Sequence, residues 1–195
     1  MGSLLSPVPV VYYSSAVAST NLATFTTEDN LMKGMPLLKL PDLGQVLGKL
    51  GDQTSTMKLR GLGQAGAVSA TTPTFTYSLR ALTSSTWSAG GVLLGASTAC
   101  TCVSGITLGV VQFDIDIWLR TGPVPGTPTI TVVTGGTISG SAFSSLNTIP
   151  AAGTAPTSTT LDVTQQYYLF LSAACSASNA ANLTNLQGLK LYVES

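Results

Sequence analysis

Histidine is missing from all 195 residues, and charge is nearly missing too: eight Lys and Arg face eight Asp and Glu, 8% of the chain. An ordinary soluble protein carries roughly 25%. Without histidine, the commonest general base and metal ligand is gone. A formal net charge of zero leaves no long-range field to steer the chain onto nucleic acid or an anionic membrane, so neither partner is expected. Aromatics make up 7%, too few for the girdles of an outer-membrane barrel. No basic residue lies between Met1 and Thr27, whereas a secretory leader needs a positive segment ahead of its apolar core; none is expected. The uncharged stretch from Ala81 to Gln112 is broken by Ser97, Thr98, Thr101, Ser104, Thr107 and several glycines. It falls short of the about 20 predominantly apolar residues of a membrane span and reads instead as two adjacent strands joined by a turn at Ser104-Gly105.

What is present is hydroxyl and turn chemistry. The 28 Thr, 22 Ser, 20 Gly and 10 Pro together make 80 of the 195 residues. A mean hydropathy of +0.38 with so little charge is the opposite of a disordered composition. The three cysteines, Cys100, Cys102 and Cys175, are an odd count in a long chain and do not make a disulfide framework. They read as small buried thiols, with one bridge from Cys175 to either of the others as the alternative. Zinc would need a fourth soft ligand, and none is at hand.

Hydrophobic periodicity of two recurs along the chain, bounded by Gly, Pro, Asn and Ser. It is clearest over residues 111–120, where Val111, Phe113, Ile115, Ile117 and Leu119 alternate with Gln112, Asp114, Asp116, Trp118 and Arg120. Shorter strands are expected at 22–26, 57–62, 75–81, 129–133, 160–163, 167–171 and 189–193. Turns are expected at 122–128, Gly135-Gly136 and 178–182. Val8 to Tyr13 is extended, and its prolines confine it to an edge or an arm. One segment departs from the pattern. Leu43, Val46, Leu47 and Leu50 lie at helical spacing, with Asp42 as N-cap and Gly51 as the residue past the end. This predicts a two-turn plug inside an insertion at about 30–53. Many short strands separated by turns specify an all-β sandwich or barrel.

Few residues gather into chemistry. Lys58, Arg60 and Arg80 stand on the polar faces of their strands, as do Asp114 and Asp116. The expectation is cross-strand ion pairing between them, worth a few tenths of a kcal/mol per pair. A calcium site would need six to eight oxygen ligands, and a carboxylate hydrolase gathers its acids from separate elements. The serines lack a base and a Gly-x-Ser-x-Gly elbow. No catalytic residue, metal or cofactor is expected. Tyr12, Tyr13, Tyr167, Tyr168 and Trp118 could line a sugar-binding surface, but single aromatics on β faces more commonly pack on a core or a neighbouring subunit.

The order of these pieces resembles phage virion proteins with a single jelly-roll domain, of the trimeric decoration and fibre-head type. The pieces that carry it are Met57-Lys58-Leu59-Arg60-Gly61-Leu62-Gly63, then Thr74 to Arg80, then Phe113 to Gly122. Leu161-Asp162-Val163-Thr164, Tyr168 to Ala173, the turn 176–182 and Leu189 to Glu194 follow. The resemblance covers about residues 55–195. It implies an all-β jelly-roll sandwich of about 8–10 strands over residues 19–195, preceded by an N-terminal arm or edge strand over 1–18. It further implies a homotrimer in the virion, assembled in the host cytoplasm, whose partners are itself and a phage major capsid protein or other virion proteins. On this reading the chain is a capsid decoration (cement) protein that stabilises a head lattice. The alternative is a fibre, spike or tail-associated head domain that contacts a host receptor or glycan. Pro7, Val8, Pro9, Val10, Val11, Tyr12 and Tyr13 would then be the partner-binding arm.

Overall fold

A computed structural model describes residues 10–44, 55–67, 72–121, 128–150 and 158–194. Fourteen strands build it: β1 Val10–Ser15, β2 Leu22–Ala23, β3 Asp29–Asn30, β4 Leu38–Lys39, β5 Ser55–Gly66, β6 Thr74–Leu82 and β7 Val92–Ala96. After them come β8 Cys100–Thr101, β9 Gly109–Thr121, β10 Thr129–Ser139, β11 Asn147–Ile149, β12 Ser158–Asp162, β13 Tyr168–Cys175 and β14 Leu183–Glu194. All pairings are antiparallel. The large sheet runs β1-β14-β5-β9-β10-β11, with β12 also on β10 and β2 also on β14. The small sheet runs β3-β13-β6-β7, with β4 also on β13 and β8 also on β6. The two sheets form a β-sandwich, and the chain crosses between them repeatedly rather than completing one first, as jelly-roll chains do.

The alternation read along β9 fixes which way the large sheet faces. Val111, Phe113, Ile115, Ile117 and Leu119 are all buried, together with Met57 and Leu59 of β5, Ile130 and Val132 of β10, and Leu189 and Leu191 of β14. Across from them the small sheet buries Phe75, Tyr77, Leu79 and Ala81 of β6 and Leu169, Leu171 and Ala173 of β13. A ladder of rings runs through the middle. Phe25 stacks on Phe75 and Phe75 on Tyr77, each at 6.1 Å, while Tyr77 meets Phe113 edge-on at 5.1 Å. The Tyr77 hydroxyl reaches Thr184 Oγ1 of the opposite sheet at 3.0 Å, and that hydroxyl donates onward to the Gln64 carbonyl at 3.1 Å. The two sheets are thus joined by a satisfied polar link as well as by apolar contact.

Several expectations shift at this level. Gly135-Gly136 is no turn; it lies inside β10, opposite Asp116 and Ile115 of β9. A Cβ on Gly135 would stand 3.0 Å from the Trp118 ring, and one on Gly136 would stand 2.2 Å from the Asp114 carbonyl oxygen. The glycines are there for close approach. The turn at Ser104-Gly105 exists, with Gly105 at φ 70. The strands on either side of it, β8 and β9, belong to different sheets and do not pair. The strand expected from Leu22 to Thr26 stops at Ala23, because Thr24 turns the chain at φ 55, a conformation that ends strand pairing.

The segment expected as an insertion is part of the sandwich over its described length. β3 and β4 add to the outer edge of β13, and Leu31, Leu38, Leu40 and Leu43 enter the core at 0–1% exposure. Leu43 and Gly44 begin a helical turn, and Asp42 Oδ1 accepts the Gly44 N–H at 2.9 Å as an N-cap would. The rest of the plug expected to Gly51 lies outside the described residues, as do residues 122–127 of the proline-rich turn.

Candidate functional site

The charges expected to pair across the sheet divide into two groups. On the outer face of the large sheet, Arg60 of β5 stands opposite Asp114 of β9, and Lys58 stands opposite Asp116. Arg60 bridges Asp114 through Nη1 and Asp116 Oδ1 through Nη2 at 3.4 Å. The Arg60 and Asp114 side chains are 34% and 57% exposed, so water screens the pair and its worth is a few tenths of a kcal/mol. Arg80 does not join them. It lies on β6 in the small sheet, where its Nε and Nη2 donate to the two carboxylate oxygens of Glu28, each at 2.7 Å. Its Nη1 donates to the Gly91 carbonyl at 2.9 Å. Sequence could not pair Arg80 correctly, because β5 and β6 are consecutive yet sit in opposite sheets. Glu28 carries no period or motif that would mark it.

Glu28 also accepts the Ser172 hydroxyl. Burial works to raise its pKa, but the hydrogen bonds from Arg80 and Ser172 and the Arg80 charge outweigh it and hold the carboxyl below its ordinary range. This is a structural clamp that ties the 28–30 edge to β6 and β13; the Glu28 and Arg80 side chains are only 19% and 16% exposed.

The arm divides in a similar way. Pro7, Val8 and Pro9 lie outside the described residues. Val10, Val11 and Tyr12 belong to β1, an edge strand paired to β14, and are 65%, 51% and 45% exposed. Tyr13, expected to reach a partner, instead follows Leu191 to the inner side after the bulge at Val11/Tyr13. It packs against the core, and its hydroxyl donates to the Pro36 carbonyl at 2.7 Å. Burial raises its pKa. Tyr13 anchors the edge strand to its own subunit.

The three thiols are buried and unbridged. Cys100 and Cys175 flank Phe75 on the neighbouring strands. Burial pushes Cys100 up to about 11 and, with the neighbouring thiols, Cys102 up to about 12. Such groups are poor nucleophiles at neutral pH. Among the described residues, no group of three or more His, Cys, Asp and Glu is placed to hold a metal ion. No helix among them is long and apolar enough to cross a membrane.

Among the described residues, three surface depressions stand out. A cleft of about 170 Å³ lies between residues 30–38 and the Trp87 loop, where the Trp87 ring packs on Phe170 at 5.6 Å. A second of about 310 Å³ is rimmed by the 81–92 connection and Tyr167. The third, about 360 Å³, is mostly apolar and lies over Leu62 and Gly188 on the outer face of the large sheet, beside the end of β1. Sequence reading missed it, since a strand bulge at Leu186/Gly188 leaves no period to detect.

No family model matches the chain, and no curated protein matches it. Among solved structures, it is similar to the lectin I from Ulex europaeus, in complex with the methyl glycoside of alpha-L-fucose. The identity is 9% over 93% of this chain and 98% of that one, with a TM-score of 0.29. A likeness that loose bears on neither sugar binding nor descent. The description that stands is an all-β protein of two antiparallel sheets, with an exposed apolar edge strand and charges engaged in holding its own strands together.

Proposed function

We propose that the chain is a virion structural protein: a capsid decoration subunit that binds a phage head lattice, as a homotrimer, and stabilises it. The observation that carries this reading is the β1 edge. Val10, Val11 and Tyr12 are exposed on a strand whose outer side pairs with nothing among the described residues. Over Val10–Ser15 it lacks the Lys and Pro residues that monomeric sheets place on their edges. An exposed, apolar edge of this kind, although bulged at Val11/Tyr13, is a template for a strand or a subunit from outside. The composition supports the same reading: a nearly uncharged, hydroxyl-rich sandwich suits a subunit covered by neighbours. The alternative, a fibre or spike head that reads a receptor, would use an open aromatic platform. Trp87 is the natural candidate, and its ring already packs on Phe170.

Lattice binding stabilises by linkage: a subunit that binds only the assembled shell adds about 2.7 kcal/mol at a hundredfold excess over its Kd. Empty heads heated with and without the purified chain test this. The expected result is a rupture temperature that rises with the concentration of the chain, and a rise lost when Val11→Asp and Tyr12→Asp are combined. Heads that rupture at the same temperature at every concentration overturn the reading.

A further inference from the structure

The outer face of the large sheet carries a charge arrangement that its own ion pairs do not balance. Lys190 of β14 is the direct cross-strand partner of Arg60 on β5, and both project outward, since Leu189 and Leu191 on either side are buried. Like charges directly opposite each other destabilise a sheet. Asp114 and Asp116 answer Arg60 from its far side, on β9. Lys190 is exposed and belongs to no ion pair among the described residues. On its β1 side the register partner is Ser14, which carries no charge.

Immediately along β14 the face dips. Gly188 stands opposite Leu62 and has no side chain to cover it, and Leu62 is 48% exposed. Together with Ser14, Arg60 and Lys190 they border the depression of about 360 Å³. That volume is at the small end of ligand pockets and matches a single bulky side chain better than a whole cofactor. The depression lies on an open sheet surface, so an extended chain can lie across it.

We propose that this depression docks an extended segment of a partner protein, seating one apolar side chain over Gly188 and Leu62 and placing a carboxylate two residues along, on the same side of the segment, on Lys190. The apolar group removes Leu62 from water. The carboxylate supplies the anion that Lys190 lacks among the described residues. The inference goes beyond the capsid reading and does not need it, because it specifies chemistry and not the particle that supplies the segment.

Titration of the full chain, followed by NMR, tests the proposal with the blocked peptide acetyl-Gly-Leu-Gly-Asp-Gly-amide and its Asn analogue. Saturable shifts at the Leu62 methyls and the Gly188 and Lys190 amides are expected. The Asp peptide should bind about three- to fivefold tighter than the Asn peptide, the size of one exposed ion pair. That preference should vanish at about 1 M salt, where the screening length falls to about 3 Å. Lys190→Glu should abolish it while raising the melting temperature slightly, since it relieves the like-charge pair with Arg60, and Leu62→Asp should weaken both peptides. Shifts that do not saturate, that fall elsewhere, or that are equal for the two peptides overturn the proposal. Shifts at the same residues on raising the protein concentration alone also overturn it, in favour of a second copy as the occupant.

Discussion

Glu28 and Arg80 form the best-engaged ion pair described, and the chemistry of single residues is clearest there. The carboxylate receives two guanidinium hydrogen bonds at 2.7 Å and the Ser172 hydroxyl. Its pKa lies below the ordinary value of 4.5. A depressed carboxyl adds stability that is fully present above the unfolded pKa and is lost as pH falls through the folded one. Urea melts from pH 6 down through the acid range should therefore show a loss of stability that Glu28→Gln removes. The variant itself should be less stable at neutral pH by about 1–3 kcal/mol, the cost of leaving charged hydrogen bonds unmade. An acid dependence identical in the two proteins would say that the clamp is idle. Tyr77 offers a second residue-scale test. Tyr77→Phe deletes the buried bond to Thr184 and should cost about 1 kcal/mol in the same melts; no loss would mean the sheet-to-sheet link carries nothing. For the thiols, values of about 11 and 12 at Cys100 and Cys102 leave almost no thiolate at pH 8. A thiol-reactive dye should label the native chain slowly and the urea-unfolded chain at once. Because the unfolded thiols ionise first, these groups also withdraw stability as pH rises above about 9.

Elements meet most closely where β10 faces β7. Thr134 is buried at 2% exposure and donates its hydroxyl to the Leu94 carbonyl of the other sheet. A Cβ on Gly95 would come within 2.4 Å of that hydroxyl and 2.9 Å of Ile149 Cγ2. Gly95→Ala should force the sheets apart there and cost about 1–3 kcal/mol. Thr134→Val, nearly isosteric, should cost a similar amount by stranding the Leu94 carbonyl. If both melt like the parent protein, this contact does not close the sandwich. The same elements show what was legible beforehand. β9 and β5 are readable because a strand with one buried face alternates with period two. Gly135-Gly136 was misread because a glycine pair signals a turn and a close crossing alike, and only the ring of Trp118 two strand positions away tells them apart. Arg80 was placed with the wrong acids because face and period are local, whereas sheet membership depends on where each connection crosses the sandwich. The Leu62–Gly188 depression had no local signal at all, since it arises from a bulge in one strand beside the end of another.

At the scale of the whole molecule, the near absence of charge and the two-sheet sandwich point the same way. The sheets bury their apolar faces against each other, the described thiols are buried, Glu28, Asp114 and Asp116 are ion-paired, and the β1 edge and the outer face of the large sheet stay open among the described residues. The N-terminal stretch proves to be part edge strand by Tyr13, which is tied to Pro36, while Val10 to Tyr12 stay outward. The proposed virion role therefore rests on association, and association is what to measure. The most direct test is light scattering of the purified chain, followed by mixing with undecorated heads and sedimentation. The account predicts a trimer that co-sediments at a fixed ratio to the lattice and loses that ability when residues 2–14 are deleted. A chain that remains a monomer and stays in the supernatant contradicts it, and a trimer that ignores heads but binds host cells contradicts decoration in favour of receptor binding.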